Sequence, residues 1–316
     1  MHLSFMKVVD LKVHYPIRGG FFHSIVDWVY AVDGISFEIE QGKTYGLVGE
    51  SGCGKSTTGK ALIGLEKITS GKIIYEGEDV TNDRKSKAST FNRDVQMIFQ
   101  DSHSSLNPRK RISEILLEPI RNFLHLSPRA EEVKINDLLE IVGLPRDSKH
   151  KYPHEFSGGQ KQRINIARAL ATNPKLIIAD EPVSALDLSV QAQVLNFMKD
   201  IQREFGLSYL FISHDLGVIK HMCDYISIMY KGRFVECGTK QDIYENPKHL
   251  YTKRLLSAIP EPTPVGRERR KRARQAFEKY YQKEIHKTFD EDGRVFDLIP
   301  LSDTHFVAAS SVKEVV

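Results

Sequence analysis

The chain contains a glycine-rich run whose residue types and spacing suit the binding of a polyphosphate. Its members are Gly49, Glu50, Ser51, Gly52, Cys53, Gly54, Lys55, Ser56 and Thr57. The run fits the pattern G-x-x-x-x-G-K-[ST], in which backbone N–H groups surround the phosphates. In this pattern Lys55 can reach the β- and γ-phosphates, and the Ser56 hydroxyl can hold Mg²⁺. The run therefore predicts a phosphate loop; the alternative is a glycine-rich turn before a helix.

An acidic pair follows an apolar run further along the chain. Residues 176–179 read Leu-Ile-Ile-Ala, and Asp180 and Glu181 come directly after them. A buried strand ending in Asp places that carboxylate at the carboxyl edge of a sheet, beside the phosphate loop, where it can bind Mg²⁺. Glu181 points elsewhere and can polarise a water molecule in line with the γ-phosphate. Helix capping is the alternative role for such a pair.

A serine–glycine turn forms a third candidate site. Ser157, Gly158, Gly159 and Gln160 open a predicted helix over 161–171. A helix N-terminus attracts anions because its free N–H groups and its dipole both favour negative charge. The alternative is a serine N-cap followed by two flexible glycines. One nucleotide has one polyphosphate, which residues 49–57 already bind, so this second turn suggests a nucleotide held by another subunit.

Apolar runs that alternate with helical patterns predict an α/β fold to position these residues. The candidate strands are 44–48, 72–75, 95–99, 176–179, 209–212 and 225–229, and a helix is predicted at 60–65. The run at 176–179 is continuously apolar, as expected of a parallel strand covered on both faces. One helical stripe should pack on the sheet; it comprises Val190, Val194, Phe197, Met198, Ile201 and Phe205.

The strand signals stop between about residues 101 and 172, where 111–124 and 128–142 have helical patterns. Ser127 can cap the second of these helices, and Pro128 suits its first position. This stretch predicts a helical subdomain inserted into the α/β core. The periodicity changes after the proline-rich residues 260–264, which predicts a boundary near 260–266.

The composition narrows the class of protein. Of 316 residues, 41% are hydrophobic and 27% are charged, as in a soluble globular protein. No apolar run approaches the ~18 residues that a membrane-spanning helix needs, and the N-terminus lacks the apolar core of a signal peptide. Three scattered cysteines form no C-x-x-C pair and no disulfide framework, which predicts a reduced, cytoplasmic setting.

The net charge of +4 is concentrated in one stretch of the chain. Residues 266–287 contain nine Lys or Arg and three Asp or Glu, which leaves 36 basic and 38 acidic residues elsewhere. Phe277, Tyr280, Tyr281 and Ile285 recur there at helical spacing. They predict an amphipathic helix with a solvated basic face, and attraction to anionic lipid is the second interpretation.

Taken in order, these motifs resemble those of the ATP-binding subunits of ABC transporters over about residues 5–260. The order is the phosphate loop, Gln100 after a strand, residues 157–160, Asp180 and Glu181, residues 185–187 and His214 after another strand. Residues 157–160 are the most diagnostic, since other phosphate-loop NTPases lack them. The resemblance implies a phosphate-loop NTPase core of the ABC ATPase type, which binds ATP and Mg²⁺ and hydrolyses ATP.

The resemblance also implies a role for each matching residue in hydrolysis. Glu181 resembles the general base and Asp180 the carboxylate that binds Mg²⁺. Lys55 resembles the lysine that contacts the phosphates. Gln100 resembles the residue that contacts Mg²⁺ or the attacking water, and His214 the histidine that bonds to the γ-phosphate.

Two further roles concern the dimer and the adenine base. Residues 157–160 resemble the signature that closes over a partner's ATP, and Asp187 resembles a residue of the dimer interface. Tyr15 is expected to stack on adenine. Residues 17–30 supply four other aromatic candidates, which are Phe21, Phe22, Trp28 and Tyr30.

Finer features resemble the oligopeptide/dipeptide importer branch of the family. Residues 100–109 resemble the segment after the family's glutamine, although Ser102 stands where proline is common. Residues 246–260 resemble the start of the branch's C-terminal extension, expected at 246–316 with a basic helix at 267–287. Some relatives carry a C-terminal iron–sulfur centre, but no cysteine follows Cys237 here, so we predict no such cluster.

The branch implies a set of partners. These are a paralogous ABC ATPase in a heterodimer, two integral membrane permease subunits and an extracytoplasmic peptide-binding protein, with no nucleic acid. The chain would be peripheral, at the cytoplasmic face of the cell membrane. Two alternatives are an importer of nickel or another small solute, and a nucleic-acid-associated ABC ATPase that uses the basic stretch.

Overall fold

The computed structural model describes residues 5–19, 23–81, 88–101, 105–259 and 267–311. In these ranges the strands are β1 (Met6–Gly19), β2 (Ser24–Ile39), β3 (Thr44–Val48), β4 (Ser70–Tyr75), β5 (Glu78–Asp79), β6 (Val95–Ile98), β7 (Leu176–Asp180), β8 (Ser208–Ser213), β9 (Tyr225–Tyr230), β10 (Arg233–Thr239), β11 (Leu298–Pro300) and β12 (Phe306–Ala308). The α-helices there are α1 (Lys55–Leu62), α2 (Ala88–Asp94), α3 (Ile112–Phe123), α4 (Pro128–Ile141), α5 (Gly158–Leu170), α6 (Leu188–Phe205), α7 (Leu216–Met222), α8 (Lys240–Glu245), α9 (Leu250–Ser257) and α10 (Arg267–Glu284). The predicted α/β class is confirmed, and all six candidate strands are present.

The chain divides into two compact units. The first comprises Met1–Lys7, Glu38–Lys43 and Ile73–Ile212. The second comprises Val8–Phe37, Thr44–Lys72 and Ser213–Val316.

In the first unit, β7 pairs in parallel with β6 and with β8. Ala179 lies opposite Ile98 in one pair and opposite Phe211 in the other. All of β7 is buried, which agrees with its continuously apolar sequence, since a parallel strand is covered on both faces. The carboxyl end of β7 is Asp180, so the packing of this strand fixes the position of the acidic pair.

The first unit also contains the helices α3, α4 and α5, with no strand between residues 105 and 172, all of which the structure describes. Ser127 caps α4 as predicted, because its Oγ accepts from the Ala130 N–H at 3.4 Å. The helix α6 buries Val194, Met198 and Ile201. Phe205 is 46% exposed, so the predicted stripe is wrong at this residue, the last before the left-handed Gly206 that ends the helix.

In the second unit, the fully buried β3 pairs in parallel with β9. The antiparallel neighbours β10, β12 and β11 follow in that order. In a separate sheet, β1 lies between β2 and β4. The segments that form β1, β2, β5, β10, β11 and β12 were not among the strands predicted from sequence.

The helix α10 tests the prediction of an amphipathic helix in the basic stretch. Tyr281 is 4% exposed, but Tyr280 is 52% exposed, so the predicted apolar face is wrong at Tyr280. The predicted boundary at 260–266 lies outside the described residues. Within the described ranges, no helix is long and apolar enough to cross a membrane.

Candidate functional site

The phosphate loop joins the buried strand β3 to the helix α1. Lys55 is the first residue of α1 and is 4% exposed. Its Nζ donates to the carbonyl oxygens of Gly49 and Glu50, at 2.8 Å in each case. The ammonium group therefore lies against the backbone of its own loop. The helix begins at Lys55 and ends at Leu62, so the prediction of a helix over 60–65 is wrong in both bounds.

Two glycines of the loop are required by their neighbours. A Cβ on Gly54 would lie 2.0 Å from the Ala31 carbonyl oxygen, and Gly54 also has a left-handed φ of 108°. A Cβ on Gly49 would lie 2.2 Å from the Met229 carbonyl oxygen. Other backbone segments thus pack directly on the loop, and only glycine permits that approach.

The other side chains of the loop differ in exposure. Cys53 is 6% exposed, and burial raises the pKa of its thiol. Ser51 and Gly52 are exposed. Ser56 and Thr57 are half-buried in the first turn of α1, and the N-terminus of a helix favours an anion.

The structure brings Gln100 and Glu181 together. The Gln100 Nε2 donates to the Glu181 Oε2 at 2.8 Å. The Glu181 N–H donates to the Ile212 carbonyl oxygen at 2.9 Å, and Glu181 has a positive φ of 46°, a conformation that is strained for a residue with a side chain. Asp180 is 2% exposed at the end of β7. The two neighbouring carboxylates therefore have different surroundings. Asp180 is buried, whereas Glu181 is oriented by the amide of Gln100.

The serine–glycine turn is a capped helix start. The Ser157 Oγ accepts from the Gln160 N–H at 3.4 Å, and the Gln160 side chain accepts from the Ser157 N–H at 3.0 Å. This is a capping box, so α5 begins three residues before the predicted 161. A Cβ on Gly159 would lie 2.6 Å from the Val190 Cγ1. The first turn of α6 therefore packs against this turn.

Asp187 and His214 each lie at the start of a helix. Asp187 is the exposed N-cap residue of α6, and its side chain accepts no capping hydrogen bond. His214 is exposed directly after β8. The next residue, Asp215, caps α7 by accepting from the Gly217 N–H at 2.7 Å.

Tyr15, the proposed adenine contact, is 37% exposed and donates its hydroxyl to the Glu66 Oε2 at 2.7 Å. Burial, and next the bond to Glu66, raise the pKa of Tyr15 to about 12. Among the alternatives, the centre of the Tyr30 ring lies 4.7 Å from the centre of the His14 ring and 5.1 Å from the Arg294 Cζ. Trp28 is 40% exposed, and Phe21 and Phe22 lie outside the described residues.

The site residues fall in both units. The phosphate loop, Tyr15 and His214 belong to the second unit, whereas Gln100, Asp180, Glu181, residues 157–160 and Asp187 belong to the first.

One set of contacts to the phosphate loop was not predicted from sequence. Tyr251 and Arg254, both in α9, bond to Glu50. No local sequence signal joins residues that are about 200 positions apart in the chain.

Comparison with known proteins places these motifs in a family. Residues 32–184 match the family "ABC transporter", and residues 235–288 match "Oligopeptide/dipeptide transporter, C-terminal region". The chain is 55% identical over 303 residues to the oligopeptide transport ATP-binding protein OppF of Lactococcus lactis, a match that covers 96% of this chain and 95% of that protein. It is 48% identical to the dipeptide transport ATP-binding protein DppF of Escherichia coli, over 84% of this chain and 79% of that protein.

A solved structure has the same fold. The dimeric, post-hydrolysis structure of the ATP-binding cassette MJ0796, bound to ADP and Pi, superposes with a TM-score of 0.65 at 25% identity. The match covers 74% of this chain and 98% of that one. With the motifs in place and the similarity extending over nearly the whole chain, the protein belongs to the ABC transporter family of ATP-binding subunits, in its oligopeptide/dipeptide transporter branch.

Proposed function

We propose that this chain binds and hydrolyses ATP to energise an ABC importer for oligopeptides or dipeptides. It would act as a peripheral subunit at the cytoplasmic face of the cell membrane. The similarity to OppF and DppF proteins over most of both chains supports a peptide as the cargo. That similarity favours the peptide over nickel or another small solute, and over a role with nucleic acid.

The observation that carries the hydrolytic part of the proposal is the hydrogen bond from Gln100 to Glu181. A general base must have a fixed orientation to accept a proton from an attacking water molecule. Here the amide of Gln100 holds one carboxylate oxygen at 2.8 Å. Glu181 thus has the carboxylate chemistry and the fixed orientation that the role of general base requires.

The remaining roles use the chemistry of each side chain. Lys55, now bonded to two carbonyl oxygens of its loop, would exchange them for the β- and γ-phosphates of ATP. His214 would bond to the γ-phosphate, and an aromatic residue, Tyr15 in our proposal, would stack on adenine.

The proposed Mg²⁺ ligands fit that ion by their donor atoms. Ser56 offers a hydroxyl oxygen, Asp180 a carboxylate oxygen and Gln100 an amide oxygen, and oxygen ligands suit Mg²⁺. Asp180 is 2% exposed, so a cation would stabilise its buried charge. When bound, Mg²⁺ neutralises part of the phosphate charge.

We further propose that a second ATPase subunit completes the nucleotide-binding site. Residues 157–160 of each subunit would close over the ATP bound at the phosphate loop of the other, with Asp187 at the interface. A paralogous ATPase is the proposed partner, with two permease subunits and an extracytoplasmic peptide-binding protein. The proposed ATP-binding domain is 5–260, with its helical subdomain at about 101–172, and the proposed C-terminal extension is 246–316.

Reconstitution tests the proposal. The chain is co-expressed with the permeases and the second ATPase, and the complex is placed in liposomes with ATP on its cytoplasmic side. We expect uptake of a labelled tetrapeptide, supplied with the binding protein, and loss of uptake in Lys55→Ala. Uptake that persists in Lys55→Ala would contradict the role of the phosphate loop, and uptake of Ni²⁺ in place of the peptide would contradict the cargo.

A further inference from the structure

Glu50, the second residue of the phosphate loop, is bonded by the helix α9. Its backbone N–H donates to the Tyr251 hydroxyl at 3.0 Å, and its Oε1 accepts from the Arg254 Nη1 at 2.9 Å. The region 235–288 that matches the oligopeptide/dipeptide C-terminal family includes this helix. One helix of the C-terminal region therefore contacts both the backbone and the carboxylate of a loop residue.

Arg254 is also bonded to the basic helix α10. Its Nε donates to the Glu278 Oε2 at 3.0 Å, and its guanidinium lies 4.7 Å from the centre of the Tyr281 ring. The bonds to Glu278 and Glu50 use different nitrogens, so the two carboxylates do not compete for one N–H group. Because the guanidinium is a planar group with fixed donor directions, Glu278 and Tyr281 hold it in the orientation that reaches Glu50.

The charge of Glu50 gives this arrangement a consequence for nucleotide binding. The phosphate-loop pattern places no requirement on this position, and an acidic side chain there opposes the approach of a polyphosphate. The Glu50 side chain is 50% exposed and forms an ion pair with the Arg254 guanidinium. Loss of the arginine would remove this ion pair and strengthen the negative field of Glu50 within the loop.

We propose that Arg254 is a positioning residue through which the C-terminal region sets the ATP affinity of the phosphate loop. It neutralises Glu50 and keeps its carboxylate turned toward α9, while α10 keeps Arg254 in place. The inference rests on the proposed binding of ATP at residues 49–57. It adds that α10, a helix more than 200 residues further along the chain, contributes to that affinity.

The test is a set of charge variants, measured by the dissociation constant of the full chain for ATP with Mg²⁺. Arg254→Gln should weaken ATP binding by about fivefold, the upper end of what partly exposed ion pairs contribute. The control is Lys253→Gln, which removes an exposed positive charge from the same helix and should change the affinity by less than about twofold. The effect of Arg254→Gln should shrink as salt concentration rises, since salt screens exposed charges.

A double-variant cycle separates the charge effect from structural damage. In a Glu50→Gln background, Arg254→Gln should have no further effect on ATP affinity, because the charge it compensates is gone. Glu278→Gln should weaken ATP binding in the same direction as Arg254→Gln, by a smaller factor. This second variant tests the proposal even if Arg254→Gln does not fold, since Glu278 is a surface residue of α10.

Two results would overturn the inference. One is Arg254→Gln binding ATP as tightly as Lys253→Gln, and the other is an equal loss of affinity with and without the Glu50 charge. Lys55→Ala distinguishes these results from a failure of the proposed function. If Lys55→Ala loses ATP binding while Arg254→Gln does not, the positioning role alone is refuted.

Discussion

Gly158 and Gly159 of the serine–glycine turn provide a quantitative test of how α5 and α6 pack. A Cβ on Gly159 would lie 2.6 Å from the Val190 Cγ1, whereas a Cβ on Gly158 would lie 3.6 Å from the Leu186 Cδ2, an ordinary contact. The two glycines are adjacent in the first turn of one helix. Replacing each by alanine therefore makes the same chemical change in two different surroundings.

The geometry sets the expected magnitudes. Replacing a helical glycine by alanine stabilises a protein by about 0.5–1 kcal/mol where space allows. Gly158→Ala should show this gain. In Gly159→Ala the clash with a stiff β-branched side chain adds an overpacking cost of about 1–3 kcal/mol, so the net effect runs from about zero to a loss of about 2.5 kcal/mol. For a chain of 316 residues, 1 kcal/mol shifts Tm by about 1.5 °C. We therefore expect Tm to rise by about 1 °C in Gly158→Ala and to fall by up to about 4 °C in Gly159→Ala.

Thermal unfolding followed by circular dichroism measures both variants. A third variant supplies the control: in Gly159→Ala/Val190→Ala the new Cβ would lie 4.0 Å from the Cβ of residue 190. Its Tm should return to that of Val190→Ala alone, within about 2 °C. The reasoning is refuted if Gly159→Ala unfolds at or above the temperature of Gly158→Ala, or if removal of the valine methyl groups fails to abolish the difference.

Three further predictions use other parts of the molecule. Burial lowers the pKa of His249 to about 4, below its ordinary 6.5, so the unfolded chain takes up the proton first as pH falls. As pH falls from 6.5 to 4, this residue should therefore lower the free energy of unfolding by about 3 kcal/mol. The variant His249→Asn keeps a hydrogen-bond acceptor but does not titrate in this range. Its free energy of unfolding, measured in urea, should therefore fall by less. Because burial raises the pKa of the Cys53 thiol, iodoacetamide should label it more slowly than a free cysteine at pH 8; labelling at the free rate would contradict its buried position. Tyr15→Phe loses the bond to Glu66 and keeps the ring, so it should retain ATP affinity, whereas Tyr15→Ala should weaken ATP binding; equal affinities in fluorescence titrations would remove Tyr15 as the adenine contact.

Sequence predicted the features that depend on neighbouring residues. The strands β3 and β7 are continuous apolar runs with clear ends, and the cap of α4 follows from Ser127 and Pro128 at adjacent positions. Local spacing also predicted the phosphate loop. These features can be predicted from sequence because the residues that form them are neighbours in the chain.

The features that sequence did not predict depend on distant residues. Gln100 and Glu181 are 81 positions apart, and Glu50 and Arg254 are 204 positions apart. Gly159 must be a glycine because of Val190, on another helix. The error at Phe205 has the same origin, because helical periodicity identifies a face but not how far the neighbouring layer extends along it.

Replacement of Glu181 by glutamine tests the central claim most directly, since it removes the base and preserves the shape of the side chain. The measurement is the release of labelled phosphate from ATP in a complex assembled with a partner ATPase that cannot hydrolyse ATP. ATP binding is followed in parallel, and Glu204→Gln, at an exposed glutamate of α6, is the control. We predict that Glu181→Gln binds ATP as the unmodified chain does and hydrolyses it about 10²–10⁴-fold more slowly, while Glu204→Gln hydrolyses it at the normal rate. Normal hydrolysis by Glu181→Gln would contradict the assignment of this residue as the catalytic base.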